Sequence, residues 1–218
     1  MLSFPLTEIR NVLCLGAHAD DIEIGCGGTL LKLKATNPSL NVSWIVFASD
    51  ETRHREAAES ANQFLASTNQ PDIQIHQFPD RYFPSVWSEI KDYFSKLASD
   101  LSGDRTPDLI LTHRLDDRHQ DHRVLAELTW NAFRNHMILE YEIPKFEGDL
   151  GQPNVYIPLS PEVVQRKTEV IMNCFASQHE RPWFDEETFR SLMRIRGLES
   201  NSPTRYAEGF YSRKLTLS

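Results

Sequence analysis

From Asn11 to Ile143, short apolar runs alternate with polar breaks. Val12–Leu15 is apolar throughout, as a strand covered on both faces is, and it releases into Gly16, His18, Asp20 and Asp21. Order resumes through Gly25, Gly27 and Gly28, which read as a turn. A helical pattern follows over Thr29–Ala35 until Asn37-Pro38 breaks it. Val42–Ala48, rich in β-branched and aromatic residues, predicts a second strand, and Ala58, Ala61, Phe64 and Leu65 mark a helix over Arg55–Ala66. Ile73–Phe78 alternates apolar with polar, as a third strand does. Pro84 opens a helix whose face is Val86, Ile90, Tyr93, Phe94 and Leu97. Past the turn at Gly103–Pro107, Asp108–Thr112 predicts a fourth strand and His113–Arg123 is polar. A helix then starts near Gln120, and Met137–Ile143 predicts a fifth strand. Gly148–Pro158 reads as a connection rich in Gly, Pro and Asn. Ser160-Pro161 reads as an N-cap with proline at the first helical position, leading a helix to Cys174. Trp183–Arg196 predicts a further helix, and Ala207–Leu217 a terminal strand or tail.

Strands alternating with helices imply an α/β, Rossmann-like three-layer fold with a mostly parallel sheet. No repeat, low-complexity tract or linker divides the chain, so residues 1–218 are expected to form one domain with a full core. Ligands of such sheets bind beyond the carboxyl ends of the strands, near the point where strand order reverses. The polar segments after the first and fourth strands therefore converge by topology, although about a hundred residues separate them.

Composition narrows the class. Hydrophobic content of 40% and charged content of 25% suit an ordinary soluble globular protein. A formal net charge of −8 with no basic block argues against a nucleic-acid partner or an anionic membrane surface. Met1–Arg10 lacks the basic-then-apolar order of a signal peptide, and no run approaches the roughly 18 apolar residues of a membrane span. A cytoplasmic location is expected. Cys14, Cys26 and Cys174, without CxxC spacing, fit neither a disulfide framework nor a structural zinc knuckle. Cys14 reads as a small buried hydrophobe. Cys26, between Gly25 and Gly27, reads as chosen for smallness ahead of nucleophilicity.

Two adjacent carboxylates and an imidazole at the end of a buried strand are costly unless a cation neutralises them. For a His/Asp set that cation is a divalent metal. Taken alone, the first stretch also fits a solvated loop, and the spacing of His119 and His122 a surface helix. Together, His18-Ala-Asp-Asp21 and His119-Gln-Asp-His122 supply the parts of one centre. His18, Asp21 and His122 make three ligands for a catalytic zinc, one per chain, which needs a fourth position open to water; Fe2+ is the other candidate ion. Asp20, the spare carboxylate, is placed as general base. His119, oriented by Asp121, suits oxyanion stabilisation or protonation of a leaving amine, though Asp121 equally suits the first turn of a helix. Arg53 is a candidate anion or oxyanion partner, or a solvated helix residue. His54, His76, His113, His136 and His179 are read as surface or locally hydrogen-bonded.

The segment Gly16-Ala-His-Ala-Asp-Asp-Ile-Glu-Ile-Gly-Cys-Gly-Gly-Thr29 resembles the AHPDD-x-E-x-G-x-GG signature of the PIG-L/LmbE-like N-acetylglucosaminyl deacetylases. Asp117-Arg-His-Gln-Asp-His-Arg123 resembles their H-x-D-H motif, and weaker matches run from Arg53-x-x-Glu56-Ala57 through Ala176-Ser-Gln178 and Arg196-Gly197 to Tyr206-Ala-Glu-Gly-Phe210. The resemblance implies His18, Asp21 and His122 as zinc ligands, Asp20 as general base, His119 and Asp121 as a charge-relay pair, and Arg53 as a substrate-holding residue. It also implies an N-acetylated sugar or sugar conjugate as substrate partner. Members are often multimeric, so a homo-oligomer is among the expected partners. One departure stands out: Ala19 replaces the proline of the pattern, which leaves loop rigidity in question because proline fixes φ.

The expected function is zinc-dependent N-deacetylation with release of acetate. Two other readings compete. A non-haem iron oxygenase would use a two-His-one-carboxylate set, more often found on antiparallel jelly rolls. A non-catalytic nucleotide-binding module would use the glycine turn at Gly25–Gly28, although the G-x-G-x-x-G spacing is absent. Tyr82, Trp87, Trp183, Phe184 and Tyr206 are aromatic candidates for stacking on a sugar, unranked by the sequence.

Overall fold

The computed structural model describes residues 5–66, 68 and 71–216; residues 1–4 of the N-terminal segment and Leu217 of the expected tail lie outside the described residues. The apolar runs become β1 (Asn11–His18), β2 (Asn41–Ala48), β3 (Asp72–Ile75), β4 (Leu109–His113) and β5 (Met137–Tyr141). Two more strands follow, β6 (Val155–Leu159) and β7 (Tyr206–Tyr211). Together they form one sheet in the order β3-β2-β1-β4-β5-β7-β6. The five strands from β3 to β5 are parallel, and β7 runs antiparallel between β5 and β6.

Continuous apolar strands need cover on both faces, and β1 shows how it is supplied. Val12 and Cys14 point into one core with Leu30, Phe64 and Ile171, whereas Leu13, Leu15 and Ala17 point into the other with Phe94 and Leu125. The first core lies under α1 (Asp21–Thr36), α2 (Glu51–Phe64), α5 (Pro161–Cys174) and α6 (Glu186–Glu199); the second lies under α3 (Trp87–Asp100) and α4 (Gln120–Ala132). This is the expected three-layer Rossmann-like arrangement. Ser160 caps α5 as its sequence implies, accepting from the Val163 amide at 3.3 Å.

Two sequence expectations give way. The glycines at 25, 27 and 28 form no turn; they lie inside α1. A Cβ at Gly25 would come within 2.2 Å of the Tyr141 ring, at Gly27 within 2.7 Å of Phe64, and at Gly28 within 2.6 Å of Leu159. Close approach of the helix to the sheet and to α2 outweighs the poor helix propensity of glycine. The Gly28 and Thr29 amides donate to the buried Glu208 carboxylate at 2.8 and 2.7 Å, which removes the phosphate cradle that a nucleotide-binding module would need. Within Gly148–Pro158, read as a connection, Val155–Pro158 belongs to edge strand β6. Pro158 hid it, since proline lacks the N–H of a ladder and is tolerated at an edge.

Candidate metal centre and cleft

β1 and β4 are neighbours at the point where strand order reverses, and each ends on a histidine, His18 and His113. α1 and α4 begin beside those ends, so Asp21 and His122, both in first helical turns, face the same place. His18 Nδ1 lies 3.2 Å from His122 Nε2 and 3.3 Å from Asp21 Oδ2, and His122 Nε2 lies 3.5 Å from the same oxygen. The edges of a tetrahedron with metal–ligand bonds near 2.1 Å measure about 3.4 Å. This triangle therefore fits a zinc-sized ion.

The outward nitrogens fit as well. His122 Nδ1 meets Asp117 Oδ2 at 2.9 Å, and His18 Nε2 meets Asp121 Oδ2 at 3.2 Å and Asp80 Oδ1 at 3.1 Å. A carboxylate behind each imidazole orients the ring and raises its basicity, as carboxylate–histidine–metal arrangements require. Other His/Asp groupings with metal-like spacing share these atoms, among them Asp21, His113 and His122.

Burial and charge set the protonation tendencies. Burial pushes the Asp20 carboxyl up to about 7, against the Arg53 guanidinium, which pulls it down, and with Asp21, which pushes it further up. Burial and then His113 drive His122 down to about 3, leaving Nε2 free of a proton. Burial opposes the ionised forms of His18 and Asp21, yet each has its charged form favoured. For His18 the hydrogen bonds of Asp121 and Asp21 prevail, and for Asp21 its interactions with His122, His113 and His18 do.

Asp20 sits 5% exposed at the junction of β1 and α1, with Arg53 Nη2 3.0 Å from its Oδ1. Arg53 reaches it from the first turn of α2, whose N-cap Asp50 accepts the Arg53 amide at 2.8 Å. The Arg53 Nη1 atom is buried without a hydrogen-bond partner in the protein. Farther along α2, Glu56 accepts from the Ser177 amide at 2.9 Å and hydroxyl at 2.6 Å, fastening the 176–178 turn to the cleft floor.

His119 and Asp121 are not joined as a relay pair. The Asp121 carboxylate accepts from the Arg81 and Phe83 amides at 2.6 and 3.1 Å and faces His18, while only the Asp121 backbone N–H reaches His119 Nδ1, at 3.3 Å. His119 is the N-cap of α4, so its imidazole takes a helix amide, and Asp121 turns around the helix toward residues 79–83. The amide on Nδ1 leaves the proton of neutral His119 on Nε2.

His113 was missed by reasoning on sequence. It is fully buried, stacks on His122 with centroids 3.8 Å apart, accepts the Ala17 amide at 2.9 Å and lies 3.2 Å from Asp21. Its place at the end of a central strand adjacent to the one that ends on His18 was the available signal. Asp117 and Lys145 were missed too, and for them only the folded loops provide one. Cys26 is buried in α1 with its thiol on the Ile22 carbonyl, away from the cleft, which removes it as a nucleophile.

The cleft above these groups has a volume of about 880 Å³. His18, Asp20, Asp21, Arg53, His119 and His122 all line it. A family model described as PIG-L, GlcNAc-PI de-N-acetylase, matches residues 13–133, more than half of the chain. The chain belongs to the PIG-L family. Among its relatives, the Escherichia coli (strain K12) protein named uncharacterized deacetylase YaiS is 27% identical over 146 residues, 62% of this chain and 75% of that protein. N,N'-diacetylchitobiose deacetylase from Pyrococcus horikoshii shares the fold at TM-score 0.68 and 20% identity, over 95% of this chain and 85% of that one. The 4-carboxy-2-hydroxymuconate hydratase GalB from Pseudomonas putida KT2440 shares it at TM-score 0.68 and 15% identity, over 96% and 98%. A fold that carries both a deacetylase and a hydratase leaves the chemistry to be argued from the site. Among the described residues no helix is long and apolar enough to cross a membrane.

Proposed function

We propose that this PIG-L family chain is a zinc-dependent N-deacetylase that hydrolyses the acetamide of an N-acetylated amino sugar or sugar conjugate. The observation that carries the reading is the 3.2–3.5 Å triangle of His18, Asp21 and His122, with a carboxylate behind each imidazole and Asp20 beside it. These three residues would hold the ion. A bound zinc would supply Lewis acidity and bring the pKa of water down to about 7.

The remaining steps belong to the chain. Asp20 takes the proton that water gives up on attacking the acetamide carbon. Arg53, which lines the cleft, holds the Asp20 carboxylate and brings a positive charge near the developing negative charge. His119, with its proton on Nε2 and lining the cleft, donates a hydrogen bond to the carbonyl oxygen as negative charge develops there. Asp121 acts on His119 through its backbone amide and on His18 through its carboxylate. Asp20 then passes the proton it took to the departing nitrogen as the C–N bond breaks, acetic acid loses its own proton to solvent, and acetate and the free amine leave.

The test is incubation of the zinc-loaded protein with N-acetylated sugars, sugar nucleotides and an unsaturated hydroxy acid. Acetate release that a chelator abolishes is the expected result. Consumption of the unsaturated acid without acetate release would replace deacetylation by hydration. Bound iron with oxygen uptake would support an oxygenase instead.

A further inference from the structure

One wall of the cleft is explained neither by the candidate centre nor by the family match. The chain between β5 and β6, outside residues 13–133, contributes Ile143, Lys145, Phe146 and Glu147 to the cleft. It has no regular secondary structure, yet it is tightly held. Lys145 Nζ donates to Asp117 Oδ2 at 3.0 Å and to both oxygens of Asp149 at 2.8 Å. Asp149 in turn accepts the Arg118 amide at 2.7 Å on its carboxylate and Arg114 Nη1 at 2.8 Å on its carbonyl. Since Asp117 also holds His122, the Lys145 amine is two hydrogen bonds from the proposed metal-holding nitrogen ring. The next residue is therefore presented at a set distance from the centre.

That residue is Phe146, and it is 73% exposed. A phenyl ring on a fastened support at the mouth of a polar cleft leaves apolar surface in water that a ligand can cover. Of the aromatic candidates named from sequence, Phe184 is buried in the core and Tyr206 lies under Arg190 and Arg194 in a separate groove. Trp183 does line the cleft, but packs edge-on against Phe184 with centroids 5.6 Å apart. No aromatic partner of Phe146 is found among the described residues. The 880 Å³ of the cleft is toward the upper end of the range for drug-sized ligands, about 300–1,000 Å³, and so leaves room beyond one pyranose ring.

We propose that Phe146 is a specificity-determining residue, a platform for the part of a sugar conjugate that lies beyond the N-acetylated ring and carries an apolar or cyclic face. This rests on the deacetylase reading. Wild type, Phe146→Ala and Phe146→Tyr are compared on N-acetylglucosamine and on 4-nitrophenyl N-acetyl-β-glucosaminide, scoring acetate. Phe146→Ala is expected to raise KM for the aryl glycoside about tenfold with kcat unchanged, to leave the free sugar unaffected, and to be rescued by tyrosine. Equal effects on both substrates, or none, overturn the platform. Calorimetric binding of 4-nitrophenyl β-glucosaminide, which has no acetyl group to lose, separates the two readings. If the wild type releases no acetate, the deacetylase reading fails; if it does not bind this glycoside, or Phe146→Ala binds it equally well, the platform fails.

Discussion

Asp20 adopts φ 108, a backbone conformation that side-chain-bearing residues rarely take. A carboxylate at the start of α1 would ordinarily cap the helix, but Asp20 makes no such bond and meets Arg53 instead. Such strain persists only where the surroundings impose it, and here they leave Asp20 lining the cleft beside Asp21. Asp20→Asn keeps the shape and removes the basicity. It should cut kcat by roughly 10²–10⁴ with zinc content unchanged in metal analysis, the usual worth of a general base. Unchanged turnover would remove Asp20 from the mechanism. The neighbouring Ala19, where the family pattern has proline, is 1% exposed in the apolar core, so packing holds this turn in place of an imino ring.

At the scale of elements, α1 shows propensity losing to packing. Each glycine costs a helix interior about 1 kcal/mol relative to alanine, so Gly25→Ala would stabilise an isolated helix. In this fold the added methyl would lie 2.2 Å from the Tyr141 ring, whose hydroxyl is tied to the Leu15 carbonyl at 2.7 Å. Overpacking of this kind costs about 1–3 kcal/mol, and a ring so fixed cannot move aside cheaply. Gly25→Ala should therefore lower the thermal midpoint. A raised midpoint would mean that Tyr141 repacks freely.

At the scale of the molecule, a buried charge network fastens the last strand to the first helix. Glu208 on β7 accepts from the Gly28 and Thr29 amides, from the Thr29 hydroxyl at 2.6 Å and from Lys167 of α5 at 2.7 Å. Lys167 also donates to the Ile24 carbonyl at 2.6 Å. Removing one partner strands the other charge away from water. Glu208→Ala should cost about 3–5 kcal/mol in urea unfolding, and adding Lys167→Met should restore part of it. No recovery in the double variant would show that the lost amide partners, and not the stranded ammonium, dominate the cost.

The apolar runs by themselves determined the parallel sheet and its two layers of helices, because strands buried on both faces leave a pattern independent of their neighbours. His18, Asp20, Asp21, His119 and His122 were legible for a similar reason: they cluster locally, next to strand ends where α/β sheets bind ligands. The role of the glycines at 25, 27 and 28 was not, since close approach to Tyr141, Phe64 and Leu159 exists only once the sheet has formed. β6 stayed hidden because pairing with β7, and not composition, makes it a strand. His113 beside Asp21, Asp121 turned from His119 to His18, and Lys145 behind Asp117 were likewise decided by tertiary structure alone. A local sequence sets which groups are present, whereas the direction in which a side chain points depends on partners far along the chain.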